Sequence, residues 1–154
     1  MNLKRRSTLK AGSSLAVIAA AISAGVLPTS AFAQWNKNAF DAKNLNEVVK
    51  AMGGTAAEKS ADITITAPDI AENGAVVPIA VASKLANVES ISILVEKNPS
   101  SLSAQFDIPA GTEANVGTRV KMGQSSNVHA VVKAGGKYYV ATKEVKVTLG
   151  GCGG

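Results

Sequence analysis

In Val128-His129-Ala130-Val131-Val132-Lys133-Ala134-Gly135-Gly136-Lys137-Tyr138-Tyr139-Val140-Ala141-Thr142, two runs rich in valine and tyrosine flank a short glycine-containing loop. β-Branched and aromatic side chains suit a pleated, half-buried surface, and the loop turns the chain back on itself. The stretch therefore predicts an antiparallel hairpin. Successive side chains on a strand point to opposite faces, so Tyr138 and Tyr139 are divided between them. One belongs to the core, and the other is open to a partner contact.

Short β segments continue on both sides of this hairpin. Asp62 to Thr66 alternates polar and apolar and ends at Pro68. Asn73-Gly74 is a turn dipeptide, and the apolar run Ala75 to Ala82 follows it. Pro78 inside that run marks an edge strand or a bulge, because proline has no amide hydrogen for a ladder. Ser90 to Glu96 alternates around Ile91, Ile93 and Val95. Leu102, Ala104, Phe106 and Ile108 alternate again, and Val116 to Met122 forms a further segment. Val145 and Val147 extend strand character to Leu149.

One helical stretch precedes the strands. Across Gln34 to Met52, Phe40, Leu45, Val48, Val49 and Met52 fall mostly on one face at 3.6-residue spacing. Asn44 followed by Glu47 resembles a capping box, and Gly53-Gly54 ends the helix. This helix closes one end of the core. Seven or eight short strands at regular spacing, with no second helical block, predict a mainly β fold: an immunoglobulin-like antiparallel β-sandwich with a short N-terminal helix. The cysteine–tryptophan–cysteine core of antibody domains is missing, so spacing carries this expectation.

The first 33 residues lie outside that fold. Lys4, Arg5, Arg6 and Lys10 precede the apolar run Leu15 to Val26, and Ala31-Phe32-Ala33 has the form of a signal-peptidase site. That order reads as an export signal, and the apolar run is shorter than the ~20 residues that span a bilayer. Lys4-Arg5-Arg6-Ser7-Thr8-Leu9-Lys10 resembles a twin-arginine signal, with Thr8 where that pattern usually has phenylalanine. Such signals are receptor-read addresses, which predicts a periplasmic protein with no membrane attachment after cleavage. The expected domains are a signal at 1–33, a helix plus β-sandwich domain at 34–149 and a terminal arm at 150–154.

The signal holds four of the 16 Lys+Arg and none of the 11 Asp+Glu. The remaining 121 residues therefore carry 12 basic and 11 acidic groups, near neutrality. No basic run survives to hold nucleic acid.

The arm is Gly150-Gly151-Cys152-Gly153-Gly154, and Cys152 is the chain's one cysteine. A lone cysteine in an exported protein forms an intermolecular pair or remains a reactive thiol. Gly150, Gly151, Gly153 and Gly154 add no side-chain bulk, so the backbone can enter a channel that ordinary side chains would block. From Leu149 the arm extends about 10 Å at roughly 3.3–3.6 Å per residue. The terminal carboxylate is two residues from the thiol, and no arginine or helix N-terminus adjoins it in sequence. The thiol is therefore expected to lack strong activation on its own.

Little else offers chemistry. His129 is the single histidine, too few for a blue-copper site or the usual structural zinc sets. It is expected to be a strand residue facing solvent or half-burial, although a dyad with Cys152 is conceivable. Asp69, Glu72 and Glu89 are scattered, with no spacing that suggests acid–base work. No phosphate-binding loop and no Ser/His/Asp set is present. The expectation is a protein that is not an enzyme by itself and carries no metal or cofactor.

The twin-arginine-like signal, a β-rich domain of this size and the terminal Gly-Gly-Cys-Gly-Gly together resemble the SoxY family. Members of that family are sulfur-carrier subunits of bacterial thiosulfate oxidation. Asp69-Ile70-Ala71-Glu72-Asn73-Gly74-Ala75-Val76-Val77-Pro78 and the helix before it are similar to that family as well. The resemblance implies a heterodimer with a SoxZ-like subunit that lacks its own export signal. It implies Cys152 as the covalent attachment point, loaded with thiosulfate by a cytochrome. A hydrolase then releases sulfate, and a sulfane dehydrogenase is a further implied partner. The alternative reading is an exported immunoglobulin-like structural module dimerised through Cys152. A ubiquitin-like sulfur carrier, activated at its terminal Gly-Gly carboxylate, fits the export signal and the sandwich poorly.

Overall fold

The computed structural model describes residues 36–148. The signal (1–33), Trp35 and the arm residues Gly150, Gly151, Cys152, Gly153 and Gly154 lie outside the described residues. Two short helices, α1 (Lys37–Asp41) and α2 (Leu45–Ala51), precede nine strands. These are β1 (Ala57–Lys59), β2 (Ile63–Thr66), β3 (Ile70–Ala71), β4 (Val77–Ser83), β5 (Val88–Val95), β6 (Leu102–Asp107), β7 (Asn115–Val120), β8 (Ser126–Ala134) and β9 (Lys137–Val147). One sheet has the order β1-β9-β8-β5-β6 with β3 added against β9, and the other has the order β2-β4-β7.

The β8–β9 hairpin forms as its sequence predicts. Ala134 pairs with Lys137, and the two-residue loop places Gly135 and Gly136 at φ 55 and 75. Positive φ at both positions is the twist that matches two antiparallel strands, and glycine adopts it without steric cost. β9 then continues for 11 residues as one strand.

The stretch expected to be one helix over 34–52 is two. Asn44 has φ −148 and ψ 166, and its side-chain oxygen accepts the Glu47 amide at 3.0 Å. A residue that caps a helix in this way cannot itself be helical. The capping pair in the middle of the apolar pattern therefore breaks it. Glu47 reaches back to the Lys43 amide at 2.8 Å, completing the box one residue upstream.

The helices form a third layer. Val48, Val49, Leu94, Leu102, Val131, Tyr138 and Val140 are buried between them and the larger sheet. Between the two sheets lie Ile63, Val77, Ile79, Val81, Ile91, Ile93, Val95, Val128, Val132 and Val145. β5 is thus covered on both faces, and Ser90 to Val95 are all buried despite their alternating pattern. An irregularity between Ile93 and Leu94 shifts the β5–β6 register. It turns Leu102 toward the helices while Phe106 and Ile108 pack toward the other sheet. A bulge inserts one residue and so flips the faces beyond it.

Two expectations change. The sandwich is not wholly antiparallel, because β1 and β3 both pair with β9 in parallel. β4, where Pro78 was read as marking an edge strand or a bulge, is the central strand of its sheet. The last β2–β4 pair is Thr66 with Ala80, so at Pro78 the ladder has only its β7 neighbour, Arg119. Proline is tolerated where the ladder is one-sided. Both tyrosines are packed, Tyr138 against the helices and Tyr139 against the inter-sheet core.

Candidate functional site

The described chain ends at the root of the arm, four residues before Cys152. β1 pairs with β9 only over Tyr138 to Val140. Further along, β3 takes over, with Ile70 in register with Lys146 and Ala71 with Val147. The Lys146 amide donates to the Asp69 carbonyl at 3.0 Å, and the Thr148 amide to the Ala71 carbonyl at 3.1 Å. The Thr148 hydroxyl lies 3.4 Å from the Glu72 carbonyl, which accepts from it. On the other side, the Val147 amide donates to the Ser125 hydroxyl at 2.9 Å.

The sequence builds this anchor from a few short-range features. Pro68 follows the end of β2, and Ala71 is buried in the inter-sheet core, so β3 is pinned although it is two residues long. The Asn73 side chain accepts the Ala75 amide at 2.9 Å and caps a tight 3-10 turn, Gly74–Val76. The Met122 amide donates to the Gly74 carbonyl at 2.7 Å. A Cβ on Gly74 would run into the Met122 carbonyl oxygen and the Val147 side chain, so only glycine allows this approach. Lys143 braces the segment by donating to the Ala67 carbonyl at 2.6 Å and pairing with Asp69 at 3.0 Å. The stretch Asp69 to Pro78, read in sequence as a turn dipeptide entering an apolar run and similar to the family, is thus the clamp on the arm root. An isolated turn dipeptide gives no hint that its partner is a strand seventy residues away.

His129 sits on the helix-side face of the larger sheet, opposite Thr142 in the β8–β9 register. Its Nδ1 lies 2.9 Å from the Thr142 hydroxyl and its Nε2 3.6 Å from Glu96. Burial of the ring pushes its pKa below the ordinary histidine value, and the Glu96 carboxylate only partly offsets this. Thr142 precedes Thr148 by six residues, about 20 Å of strand. Four residues beyond Thr148 reach at most about 13–14 Å. The conceivable dyad of His129 with Cys152 falls on a residue outside the described ones.

The remaining sequence candidates are accounted for singly. Asp69 pairs with Lys143. Glu89 pairs with Lys133 at 2.6 Å and accepts the Gly136 amide at 2.9 Å, contacts that lower its pKa. Glu72 contributes its carbonyl. Among the described residues no three His, Cys, Asp or Glu side chains converge on a possible metal position. No described helix is long and apolar enough to cross a membrane.

With this geometry in hand, the comparisons with known proteins are specific. The family model of the sulfur oxidation protein SoxY matches residues 48–152, ending on Cys152. The solved structure of the sulfur carrier protein SoxY from Chlorobium limicola f thiosulfatophilum is 40% identical, with TM-score 0.61 over 66% of this chain and 93% of that one. A variant of the superoxide reductase (neelaredoxin) from Ignicoccus hospitalis shares the fold at TM-score 0.51 and 18% identity, over 60% of this chain and 83% of that one. A search of curated protein sequences finds no match. The chain belongs to the SoxY family of sulfur oxidation proteins.

Proposed function

We propose that this protein is a periplasmic sulfur carrier that holds thiosulfate-derived intermediates covalently on Cys152 and presents them to separate enzymes. The observation that carries the proposal is the anchored root. The fold fixes the chain through Thr148 and leaves the lone cysteine four residues beyond it, between glycine pairs. A domain clamped at the base of a narrow arm suits delivery of a covalent load into other proteins' active sites. Covalent attachment replaces diffusion of a small anion with a high effective concentration at each site.

In this reading a cytochrome joins Cys152 oxidatively to thiosulfate. The thiol and thiosulfate together give up two electrons, the thiol also loses its proton, and an S–S bond forms. A hydrolase then adds water across the bond to the sulfonate and releases sulfate. A sulfane dehydrogenase is a third candidate partner. A SoxZ-like subunit completes a heterodimer exported on the twin-arginine signal of this chain. Gly150, Gly151, Gly153 and Gly154 give the arm its narrowness. The protein supplies the attachment atom, and the partner enzymes supply the catalysis.

The deciding experiment is incubation of the heterodimer with thiosulfate and the oxidising cytochrome, followed by intact-mass and C-terminal peptide analysis. A sulfur adduct on Cys152 is expected. An adduct on the Gly154 carboxyl, or none, would overturn the proposal.

A further inference from the structure

Where the helical layer meets the larger sheet, a cavity of about 260 Å³ opens near the start of β5. Its floor is one cross-strand row. Asp107 on β6 is in register with Ser90 on β5, Ser90 with Lys133 on β8, and Lys133 with Tyr138 on β9. Neighbours in such a row stand roughly 5 Å apart at their Cβ atoms. Asn36 before α1 and Met52 after α2 complete the lining on the helical side.

Ser90 is the informative member of the row. It is only 8% exposed, yet its hydroxyl has no hydrogen-bond partner among the described residues. The next residue, Ile91, is buried between the two sheets, so alternation turns Ser90 to the helical side and into the cavity it lines. A polar group this deep is ordinarily bonded. The groups around it are lopsided in what they have left to offer. Lys133 Nζ and Glu89 are paired at 2.6 Å, and their charges cancel. The Tyr138 hydroxyl spends its hydrogen on the Met52 carbonyl and keeps only lone pairs. Asp107 has no ion-pair partner among the described residues, and its carboxylate can only accept.

We infer that this cavity binds a small primary amine in its ammonium form, seated between the Asp107 carboxylate and the Ser90 hydroxyl. An ammonium has three donors and no acceptor. That matches a wall on which Asp107 and Tyr138 only accept and Ser90 is able to. Its positive charge balances the one negative charge that Asp107 leaves over once Lys133 and Glu89 have cancelled. A hydrogen bond between charged partners is also about twice as strong as a neutral one. A calcium ion suits the wall poorly, because it takes about six to eight oxygens, carboxylates prominent among them. Glu89 is already held by Lys133 and by the Gly136 amide, which leaves Asp107 alone for that task. The cavity is smaller than sites for drug-sized ligands, roughly 300–1,000 Å³, so the amine is compact, of the size of an amino alcohol. Lying between two layers, it ties the helices to the sheet. The inference does not depend on the carrier reading.

The test is an amide-shift titration of the heterodimer with ethanolamine at pH 7, well below the ordinary amine pKa of about 10. Ethylene glycol, of similar size without the charge, and calcium chloride are the comparison probes. Saturable shifts are expected at Ser90, Asp107, Lys133 and Met52 with ethanolamine alone. Asp107→Asn keeps the shape and removes the charge, and should weaken ethanolamine about tenfold, the worth of one charge-assisted bond. Ser90→Ala should weaken it less, by about threefold. Both variants should unfold at the wild-type midpoint without ligand, since neither side chain has a partner to lose. Absence of a saturable shift in the wild type would overturn the inference. Equal binding of ethylene glycol, or undiminished binding of ethanolamine by Asp107→Asn, would overturn it as well. Saturation by calcium at the same residues would make this a metal site and sink the ammonium assignment. Sulfur loading of Cys152 is measured separately and is decided by none of these outcomes.

Discussion

The Val147 amide donates to the Ser125 hydroxyl at 2.9 Å, tying the end of β9 to the loop before β8. With the Thr148 amide on the Ala71 carbonyl, this contact decides where the fold stops and the arm begins. Ser125→Ala should lose about 1 kcal/mol of stability, the usual net worth of such a bond. Amide exchange should accelerate at Val147 and Thr148 far more than in β5 or β8. Uniform acceleration across the domain would mean that Ser125 does not act locally on the root.

Gly74→Val should be far worse. The added side chain meets the backbone carbonyl of Met122, which cannot move without disturbing β7. Overpacking of this kind costs roughly 1–3 kcal/mol, read as a lowered denaturant midpoint. Gly117, with open space around its Cβ position, should accept alanine with little change in that midpoint.

Tyr138 links the helical layer to the sheet. Its hydroxyl donates to the Met52 carbonyl at 2.5 Å, and its ring packs beneath the helices. Tyr138→Phe should cost about 1 kcal/mol and loosen α2 selectively, visible as faster exchange at Met52 to Gly54. Sulfur loading, proposed at Cys152, should be unaffected, as intact mass would show.

His129 gives the domain a pH dependence whose sign follows from burial. Its pKa is lowered in the folded protein, so the unfolded chain binds the proton more readily. The stability from its neutral state is present above about pH 6.5, the ordinary histidine value. It is lost as pH falls through that value toward the lower folded pKa. Thermal unfolding from pH 8 to pH 5 should show a decline in Tm that His129→Gln flattens. An equal decline in both proteins would assign the effect to other groups.

The arm predictions concern chemistry rather than stability. Cys152→Ser should abolish sulfur loading and leave the unfolding transition unchanged, as intact mass and circular dichroism would show. Gly151→Val or Gly153→Val should slow turnover by partner enzymes at least several-fold while loading by a small reagent such as tetrathionate remains normal. Normal enzymatic turnover by the valine variants would argue against a narrow channel.

Local features of the sequence carried some of this a long way. The Val128–Thr142 hairpin, the β-rich pattern and the Asn44–Glu47 capping pair are short-range, set by backbone preference and neighbouring side chains, and all are present. The capping pair was legible yet misapplied, because one apolar periodicity runs through two helices. The lone cysteine between glycines was legible for a simpler reason: its significance is compositional and needs no fold to read.

What only the tertiary structure decided involves partners distant in the chain. The parallel pairing of β3 with β9 joins residues 70–71 to 146–147, and no local pattern encodes which strand a two-residue segment will meet. Burial of Ser90 and Ser92 required the helices to cover a face that alternation marks as exposed. The place of His129 opposite Thr142 followed from the β8–β9 register. Sequence alone determined that the chain bears one thiol on a bare terminal segment, because composition and local spacing suffice for that. Where the segment is anchored and which side chains hold its base were set by long-range pairing, which exists only in the folded chain.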